Sequence, residues 1–202
     1  MNRKFVVLRR FLSRVSVSPL ELVTVDDLIR FKNAYDSLGD VPVDLPYLLS
    51  ADKVVVLEND KGEWFGGYAV NAGRLRYLDG FSPEQVREME IKGGFSMADA
   101  PEITCIWRND KIKGAGQMAP IFLYYSSVSD ALALEKAFVI GGSVKQQVWE
   151  NFEKALPHEL FYGKVIIDGK TEMGKVVFNS KDGIQECFLE YMERLVPSKV
   201  KT

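Results

Sequence analysis

The 202-residue chain is long enough for one domain with a substantial core, and its 47% apolar and 27% charged residues are typical of a globular protein. A net charge of −2 provides no general attraction to nucleic acid, and no apolar run approaches the length of a membrane span. One histidine and two cysteines in apolar surroundings argue against a zinc site, so we expect no metal and a reducing, cytoplasmic location.

Residues 1–18 are predicted to form an appended helix ahead of a single domain that spans residues 19–202. The helix interpretation rests on one apolar face that contains Phe5, Leu8 and Leu12, with basic side chains elsewhere. The same basic segment would also suit an anchor on an anionic surface, so both interpretations stay open.

Alternating and amphipathic runs predict the elements of the first half of the domain. Asp26 or Asp27 is expected to cap the first helix, and Ser82 with Gln85 matches a capping box. The glycine pair at 66–67 indicates a bulge or a close backbone approach. In chain order the elements are a strand at 20–25, a helix at 28–38, a helical turn at 44–49, a hairpin of strands at 53–57 and 64–70, a strand at 74–78, and a helix at 83–90.

The second half alternates strands and helices before it ends in a hairpin and a helix. Pro120 must lie in the first turn of its helix, which therefore begins near Ala119. Ser143 and Gln146 match a second capping box, and Asp182 is expected to cap the last helix. The elements are a strand at 102–107, a helix at 121–134, a strand at 136–142, a helix at 144–155, a hairpin of strands at 160–167 and 174–178, and a helix at 184–195.

The order of these elements predicts an α/β fold of the mixed α+β kind, built around one central sheet. The strand–helix–strand segment at 102–142 requires a right-handed crossover, so its two strands pair in parallel. The hairpins on either side of it are antiparallel. We therefore expect a mixed, mostly antiparallel sheet with one parallel pair near its middle.

A glycine-rich turn, Lys111-Ile-Lys-Gly-Ala-Gly116, connects the first strand of that segment to its helix. Backbone N–H groups in such a turn, together with the positive end of a helix, form a binding site for a phosphate or pyrophosphate. Glycine lets the backbone approach the anion closely, and Lys111 and Lys113 add positive charge. Because Gly-x-Gly also occurs by chance, a plain glycine turn is the alternative.

Together with the element order over residues 20–180, this turn resembles the GNAT superfamily of acyl-CoA-dependent N-acyltransferases. The family loop reads Gln/Arg-x-x-Gly-x-Gly/Ala; here Gly114 and Gly116 match, and Lys111 replaces the first residue. The resemblance implies a splayed parallel pair, helices on both faces of the sheet, and acetyl-CoA or another acyl-CoA as co-substrate. The residues expected to bind it are Ile106, Trp107, Arg108, Lys111, Lys113, Gly114, Ala115, Gly116, Gln117 and Ser143.

The resemblance further implies transfer of an acyl group, with acetyl expected, to a small-molecule or peptide amine by direct attack on the thioester. Glu102 is the candidate base, because the family often carries a glutamate at the start of this strand. The family's tyrosine acid aligns with Phe152, which cannot donate a proton. Tyr162 is therefore taken as the candidate acid, with Tyr124 as the alternative.

Two other functions stay open. A GNAT-like domain without turnover would bind a ligand or a partner in the same cleft, and Phe152 favours this reading. An acyl-homoserine-lactone synthase shares the fold. The N-terminal arginine and tryptophan positions of that family have no counterpart here, where the first tryptophan is Trp64.

Overall fold

The computed structural model describes residues 15–38, 41–112, 115–116, 118–167 and 169–195. These residues form one sheet, whose strands are β1 (Val17–Glu21), β2 (Lys53–Asn59), β3 (Trp64–Asn71), β4 (Glu102–Arg108), β5 (Phe138–Ser143), β6 (His158–Ile167) and β7 (Lys170–Ser180). Their order across the sheet is β1-β2-β3-β4-β5-β7-β6. Neighbouring strands are antiparallel except for β4 and β5, which are parallel. The predicted mixed, mostly antiparallel sheet is therefore confirmed.

Helices cover both faces of this sheet, as the resemblance implied. In the described residues they are α1 (Val25–Leu38), α2 (Leu45–Ser50), α3 (Pro83–Gly93), α4 (Ala119–Ala133), α5 (Gln146–Phe152) and α6 (Lys181–Leu195). Two 3-10 turns, Arg76–Gly80 and Met97–Asp99, flank α3. Helix α4 begins at Ala119 with a proline in its first turn, as predicted.

Each face of the sheet carries its own apolar cluster. On one face, Phe122 of α4 and Ile184 of α6 pack in the same cluster as Val55. On the other face, Phe31 of α1 packs in the same cluster as Val54. Successive strand residues point to opposite faces, so a strand covered on both sides reads as a continuous apolar run, as β2 does.

The hairpin formed by β2 and β3 confirms the predicted close approach at its glycines. A Cβ atom on Gly67 would lie 2.8 Å from the carbonyl oxygen of Val55, and one on Gly66 would lie 2.7 Å from that of Trp107. The register between β2 and β3 shifts between Leu57 and Glu58, where Phe65 is the extra residue of β3. Strand β3 thus carries both the bulge and the close backbone contacts that the glycine pair indicated.

The first strand begins earlier than predicted. It runs over Val17–Glu21 rather than residues 20–25, so the sheet starts two residues before the domain boundary placed at residue 19. Residues 1–14 of the predicted N-terminal helix lie outside the described residues. Pro19 is tolerated because β1 is an edge strand. The extended run ends at Thr24, whose hydroxyl accepts a hydrogen bond from the N–H of Asp27 at 3.2 Å.

The strand predicted at 74–78 is wrong, because side chains capture the backbone donors of this segment. Asn71 Oδ1 accepts from the N–H groups of Gly73 and Arg74 at 2.8 and 3.1 Å. The carboxylate of Glu102 accepts from the next donors, at Arg76 and Tyr77. With these N–H groups bound by side chains, the segment folds into the 3-10 turn instead of joining a sheet.

The predicted helix caps had mixed outcomes. The box of Ser82 and Gln85 is formed at α3, as predicted. Helix α1 is capped by Thr24 rather than by Asp26 or Asp27, since the threonine hydroxyl, directly before the first helical residue Val25, already fills the capping position. The other two caps were also predicted wrongly. At α6, the hydroxyl of Ser180 rather than Asp182 accepts a hydrogen bond from the N–H of Gly183. Helix α5 has no side-chain cap, because Ser143 lies in β5 and its hydroxyl accepts a hydrogen bond from the N–H of Lys145.

Candidate active site

Strands β4 and β5 separate almost as soon as they meet. Their pairing is limited to Glu102 with Ile140 and Ile103 with Gly141. Beyond that point β5 continues along β7, whereas β4 continues along β3 as far as Arg108. Among the described strands, none pairs with the β5-facing edge of β4 from Thr104 onward, so this edge opens into a fork.

A tyrosine hydroxyl occupies the vertex of the fork. Tyr77, from the 3-10 turn, places its oxygen 2.6 Å from the carbonyl oxygens of both Ile103 and Gly142, one on each strand. Its single proton is donated to one of them at a time. Burial raises the pKa of Tyr77 well above its ordinary value, so the hydroxyl remains a donor. The side chain thus fills the place where a further pair of the parallel ladder would form.

One arm of the fork carries a bulge. Between the pairs Gly67–Trp107 and Ala69–Thr104, two residues of β4 face one residue of β3. Cys105, within this bulge, has a positive φ of 51°, which is uncommon outside glycine. Burial raises the pKa of its thiol to about 12, so it is not a thiolate nucleophile near neutral pH.

A cavity of about 560 Å³ lies beside the fork. Its walls come from five parts of the chain that are distant in sequence. They are α1 and α2 with their connection, the segment with the 3-10 turn at Arg76–Gly80, the bulge of β4, the end of β5 with α5, and the hairpin of β6 and β7. A concave site of this volume is large enough for a small molecule.

Glu102, the predicted base, is completely buried at the start of β4. Its Oε1 accepts hydrogen bonds from the Tyr47 hydroxyl at 2.5 Å and from the Arg76 N–H at 2.6 Å, and its Oε2 accepts from the Tyr77 N–H at 3.1 Å. Burial raises the pKa of Glu102 to about 7, although these donors act in the opposite direction. Tyr47 also lines the cavity and so connects it to the carboxyl.

A second, smaller cavity of about 170 Å³ lies between α4 and α5. Phe152 lines both cavities and is only 1% exposed. Its ring packs against Gly141 of β5, and Tyr124 of α4 meets it edge-on at 5.6 Å between ring centres. The two cavities therefore share Phe152 as a wall residue.

No family model and no curated protein matches the chain. Solved structures do match it, although their sequence identity is low. A GNAT superfamily phosphinothricin acetyltransferase from Sinorhizobium meliloti, in complex with acetyl-CoA, superposes with a TM-score of 0.54 at 12% identity, over 82% of this chain and 88% of that chain. The chain has the GNAT fold.

Further solved structures agree with the GNAT fold. The spermidine/spermine N-acetyltransferase SpeG from Vibrio cholerae gives a TM-score of 0.54 at 10% identity, over 85% of this chain and 97% of that chain. The protein yncA from Salmonella typhimurium, solved with acetyl-CoA, gives 0.54 at 12% identity, over 82% and 94%. Because these matches cover nearly the whole of each neighbour, the resemblance seen in the sequence is confirmed for the fold.

The predicted cofactor residues are spread over three environments. Ile106 and Ser143 line the large cavity, and Arg108 lines the small one. Trp107 points to the opposite face of the sheet, where its side chain is buried in the α1 and α2 cluster. Lys111 is exposed in the turn before α4. Of the rest, Ala115 is buried and Gly116 is exposed with a φ of 83°, whereas Lys113, Gly114 and Gln117 lie outside the described residues.

Tyr162, the predicted acid, is not brought to the fork. It lies on edge strand β6, is 57% exposed, and lines neither cavity. Its ring packs edge-on against Trp149, which explains its position without a catalytic role. Tyr124, the alternative, lies in the small cavity beside Phe152.

The sequence analysis did not identify Tyr47 and Tyr77 as site residues. Each bonds to Glu102, across 55 and 25 positions of sequence respectively. The one signal in the sequence was Glu102, at the start of an apolar strand. A carboxyl buried there needs hydrogen-bond donors from other parts of the chain. Within the described residues there is no cluster of His, Cys, Asp and Glu side chains able to hold a metal ion. None of the helices described there is long and apolar enough to cross a membrane.

Proposed function

We propose that this chain is an N-acyltransferase that moves an acyl group, with acetyl expected, from acyl-CoA to a small-molecule amine. The observation that carries the proposal is the fork between β4 and β5, with two cavities beside it that share Phe152 as a wall residue. Two cavities with a common wall can hold two substrates next to each other. The GNAT neighbours solved with acetyl-CoA support the choice of acyl donor.

The residues beside the small cavity fit an acyl-CoA. The unpaired edge of β4 offers backbone donors and acceptors to an amide-rich chain, between Ile106, which lines the large cavity, and Arg108, which lines the small one. Helix α4 starts without a side-chain cap, so no such cap competes there with phosphate oxygens, although the Ala119 N–H bonds to the carbonyl oxygen of Gly116 at 3.2 Å and Pro120 has no N–H. Lys111 would add charge there, and we keep Gly114 and Gly116 as the proposed diphosphate loop. When bound, acyl-CoA supplies an acyl group activated as a thioester.

Glu102 is proposed as the proton acceptor, and it acts through Tyr47. The hydroxyl of Tyr47 receives the proton of the amine while its own proton passes to Glu102, 2.5 Å away. A carboxyl with a pKa of about 7 is suited to this role near neutral pH. The buried carboxyl itself need not contact the substrate.

Tyr124 is proposed as the proton donor for the departing thiol group. It lines the cavity assigned to the acyl donor and touches Phe152, which aligns with the family's tyrosine. Burial raises the pKa of Tyr124, so the phenol holds its proton until a stronger base appears. This assignment replaces Tyr162.

Binding of the acyl donor can be tested by thermal unfolding. Coenzyme A at 100 times its dissociation constant should stabilise the folded protein by about 2.7 kcal/mol and raise its melting temperature. Asn151→Trp would fill the mouth of the small cavity and should abolish that shift. Glu150→Trp, one position earlier on α5 and outside both cavities, should retain it. Equal shifts in the two variants would place coenzyme A elsewhere.

The proton path can be tested by turnover with acetyl-CoA. Loss of a general base typically costs 10²- to 10⁴-fold, so Glu102→Gln and Tyr47→Phe should each lower kcat by about 10²-fold or more. Tyr124→Phe should lower it through loss of the acid. Tyr162→Phe is the matched control and should leave kcat unchanged. A large loss of kcat in Tyr162→Phe, with none in Tyr124→Phe, would restore Tyr162 as the proton donor.

A domain that binds acyl-CoA without turnover is the second candidate, and Phe152 favours it because it cannot supply a proton. Binding of coenzyme A together with no acyl transfer to a broad panel of amines would select this function. Transfer at a rate that depends on Glu102 would exclude it.

A further inference from the structure

The large cavity is positively charged, although the whole chain carries a net charge of −2. Basic side chains outnumber acidic ones in its walls. The basic residues are Lys32, Arg74, Arg76, Lys145 and Lys175, and the acidic residues are Asp44 and Asp79. A cleft lined mainly by one sign of charge raises the local concentration of ligands that carry the other sign.

Three of these basic side chains already pair with carboxylates. The pairs are Lys32 with Asp36, Lys175 with Glu153 and Glu159, and Arg74 with Asp79 at 3.2 Å and Asp44 at 3.8 Å. Arg76 differs from them. Among the described residues, no carboxylate forms an ion pair with its guanidinium, whose hydrogen bonds go to uncharged groups.

The two ends of the Arg76 guanidinium are bound very differently. Nη2 donates to the carbonyl oxygens of Val41 and Pro42 at 2.8 and 2.6 Å, and so holds the connection between α1 and α2. Nη1 has only long contacts, 3.5 Å to the Tyr35 hydroxyl and 3.9 Å to the Cys105 sulfur. Nη1 therefore keeps most of its donor capacity for a ligand in the cavity.

Glu102 does not remove this positive charge. It lies within electrostatic reach of Arg76, but its three hydrogen bonds come from Tyr47 and from two backbone N–H groups, none from the guanidinium. Its buried carboxyl also faces away from water. A ligand oxyanion in the cavity would be the first group to meet the guanidinium as a hydrogen-bonded counter-ion.

We propose that the acceptor is a small amine that also carries an oxyanion, such as the carboxylate of an amino acid, and that Arg76 binds this oxyanion. The proposal rests on the proposed acyl transfer and names its acceptor class. Arg76 is directly bonded through its backbone to Glu102, so the anion site and the proton path belong to one wall. A polyamine is a cation and would enter a cavity of its own sign.

The experiment compares acceptors that differ only in charge, using the full chain and acetyl-CoA. Free amino acids are set against their carboxamides, with an aminoalkyl phosphate and spermidine as further arms. An ionic hydrogen bond that is lost costs about 10- to 100-fold in kcat/KM. We expect the free amino acid to exceed its carboxamide by that factor. A preference for the aminoalkyl phosphate over the free amino acid would support the oxyanion site and identify the anion as a phosphate instead of a carboxylate.

Variants then locate the recognition. Arg76→Gln should reduce the preference for the free acid over the carboxamide about 10-fold or more, through KM rather than kcat. Arg74→Gln, at an exposed position in the cavity wall, should weaken it less and cannot disturb the core. Arg87→Gln removes the same charge from α3, outside both cavities, and should leave the preference unchanged.

The outcomes separate the two proposals. Transfer that favours carboxamides or spermidine, or an unchanged preference in Arg76→Gln, would overturn the oxyanion site and leave acyl transfer standing. Absence of transfer to every acceptor would instead overturn the proposed activity. In that case the free amino acid should still raise the melting temperature of the wild type but not that of Arg76→Gln. Equal shifts in the two proteins would overturn the oxyanion site as well.

Discussion

The two sides of the fork are built in different ways. The side assigned to the acyl donor comes from two stretches of chain: β4 leads through the glycine turn into α4, and the segment of α5 closes the small cavity. The large cavity draws its walls from segments between Lys32 and Val176 that meet only in the folded state. Local structure can thus be predicted from neighbouring residues, whereas the acceptor site depends on partners that no short pattern reveals.

The largest expected effect concerns the ring between the two sides. Phe152→Ala should destabilise the protein by about 3–5 kcal/mol, because it removes a fully buried ring and leaves a void that joins the cavities. The free energy of unfolding in urea measures this loss. Phe152→Leu, which keeps most of the volume, should cost about 1 kcal/mol.

A matched surface variant makes this test decisive. Ile91→Ala removes an apolar side chain that is 75% exposed and should change the unfolding free energy by less than about 0.5 kcal/mol. If Phe152→Ala cost no more than Ile91→Ala, the ring would not be a tightly packed part of the core.

The second effect is a dependence of stability on pH that arises on the acceptor side. The pKa of Glu102 is about 7 in the folded protein, against an ordinary value of 4.5. The folded state therefore binds the proton more tightly, and its stability falls as the pH rises from about 4.5 to about 7. At ~1.4 kcal/mol per pH unit, the loss is about 3 kcal/mol.

Comparison with Glu102→Gln isolates this contribution, because the amide does not titrate. The difference in unfolding free energy between the two proteins should change across this pH window and level off above it. A constant difference from pH 4 to pH 8 would mean that the carboxyl has an ordinary pKa.

The sequence predicted the sheet, its parallel pair and the start of α4, because apolar periodicity and Pro120 act over a few residues. It did not predict the 3-10 turn at Arg76–Gly80. There, the donors are taken by Asn71 and Glu102, and no local pattern distinguishes such a segment from a short strand. The positions of the two candidate tyrosines were also beyond the sequence: Tyr162 lies exposed on an edge strand, and only the tertiary fold brings Tyr124 to Phe152.

A third prediction tests the vertex where the two sides part. Tyr77→Phe removes the hydroxyl that lies 2.6 Å from Ile103 and Gly142 carbonyl oxygens and should cost about 1–3 kcal/mol, because it leaves a buried acceptor without its donor. Tyr162→Phe removes a hydroxyl from an exposed tyrosine and should cost less than about 0.5 kcal/mol. Equal losses in urea unfolding would show that the Tyr77 hydroxyl does not hold the fork.

The smallest expected effect compares two serines that match the same capping pattern, one next to the wall of the large cavity and one within that wall. Ser82 follows Phe81, which lines the large cavity, and its Oγ accepts the N–H of Gln85 at the start of α3. Ser82→Ala should therefore cost about 1 kcal/mol, while Ser82→Asp, which keeps an acceptor, should cost little. Ser143 ends β5 and does not cap α5, so Ser143→Ala should cost less than about 0.5 kcal/mol. Equal losses for the two alanine variants would contradict the difference between Ser82, which caps α3, and Ser143, which bonds the N–H of Lys145 ahead of α5.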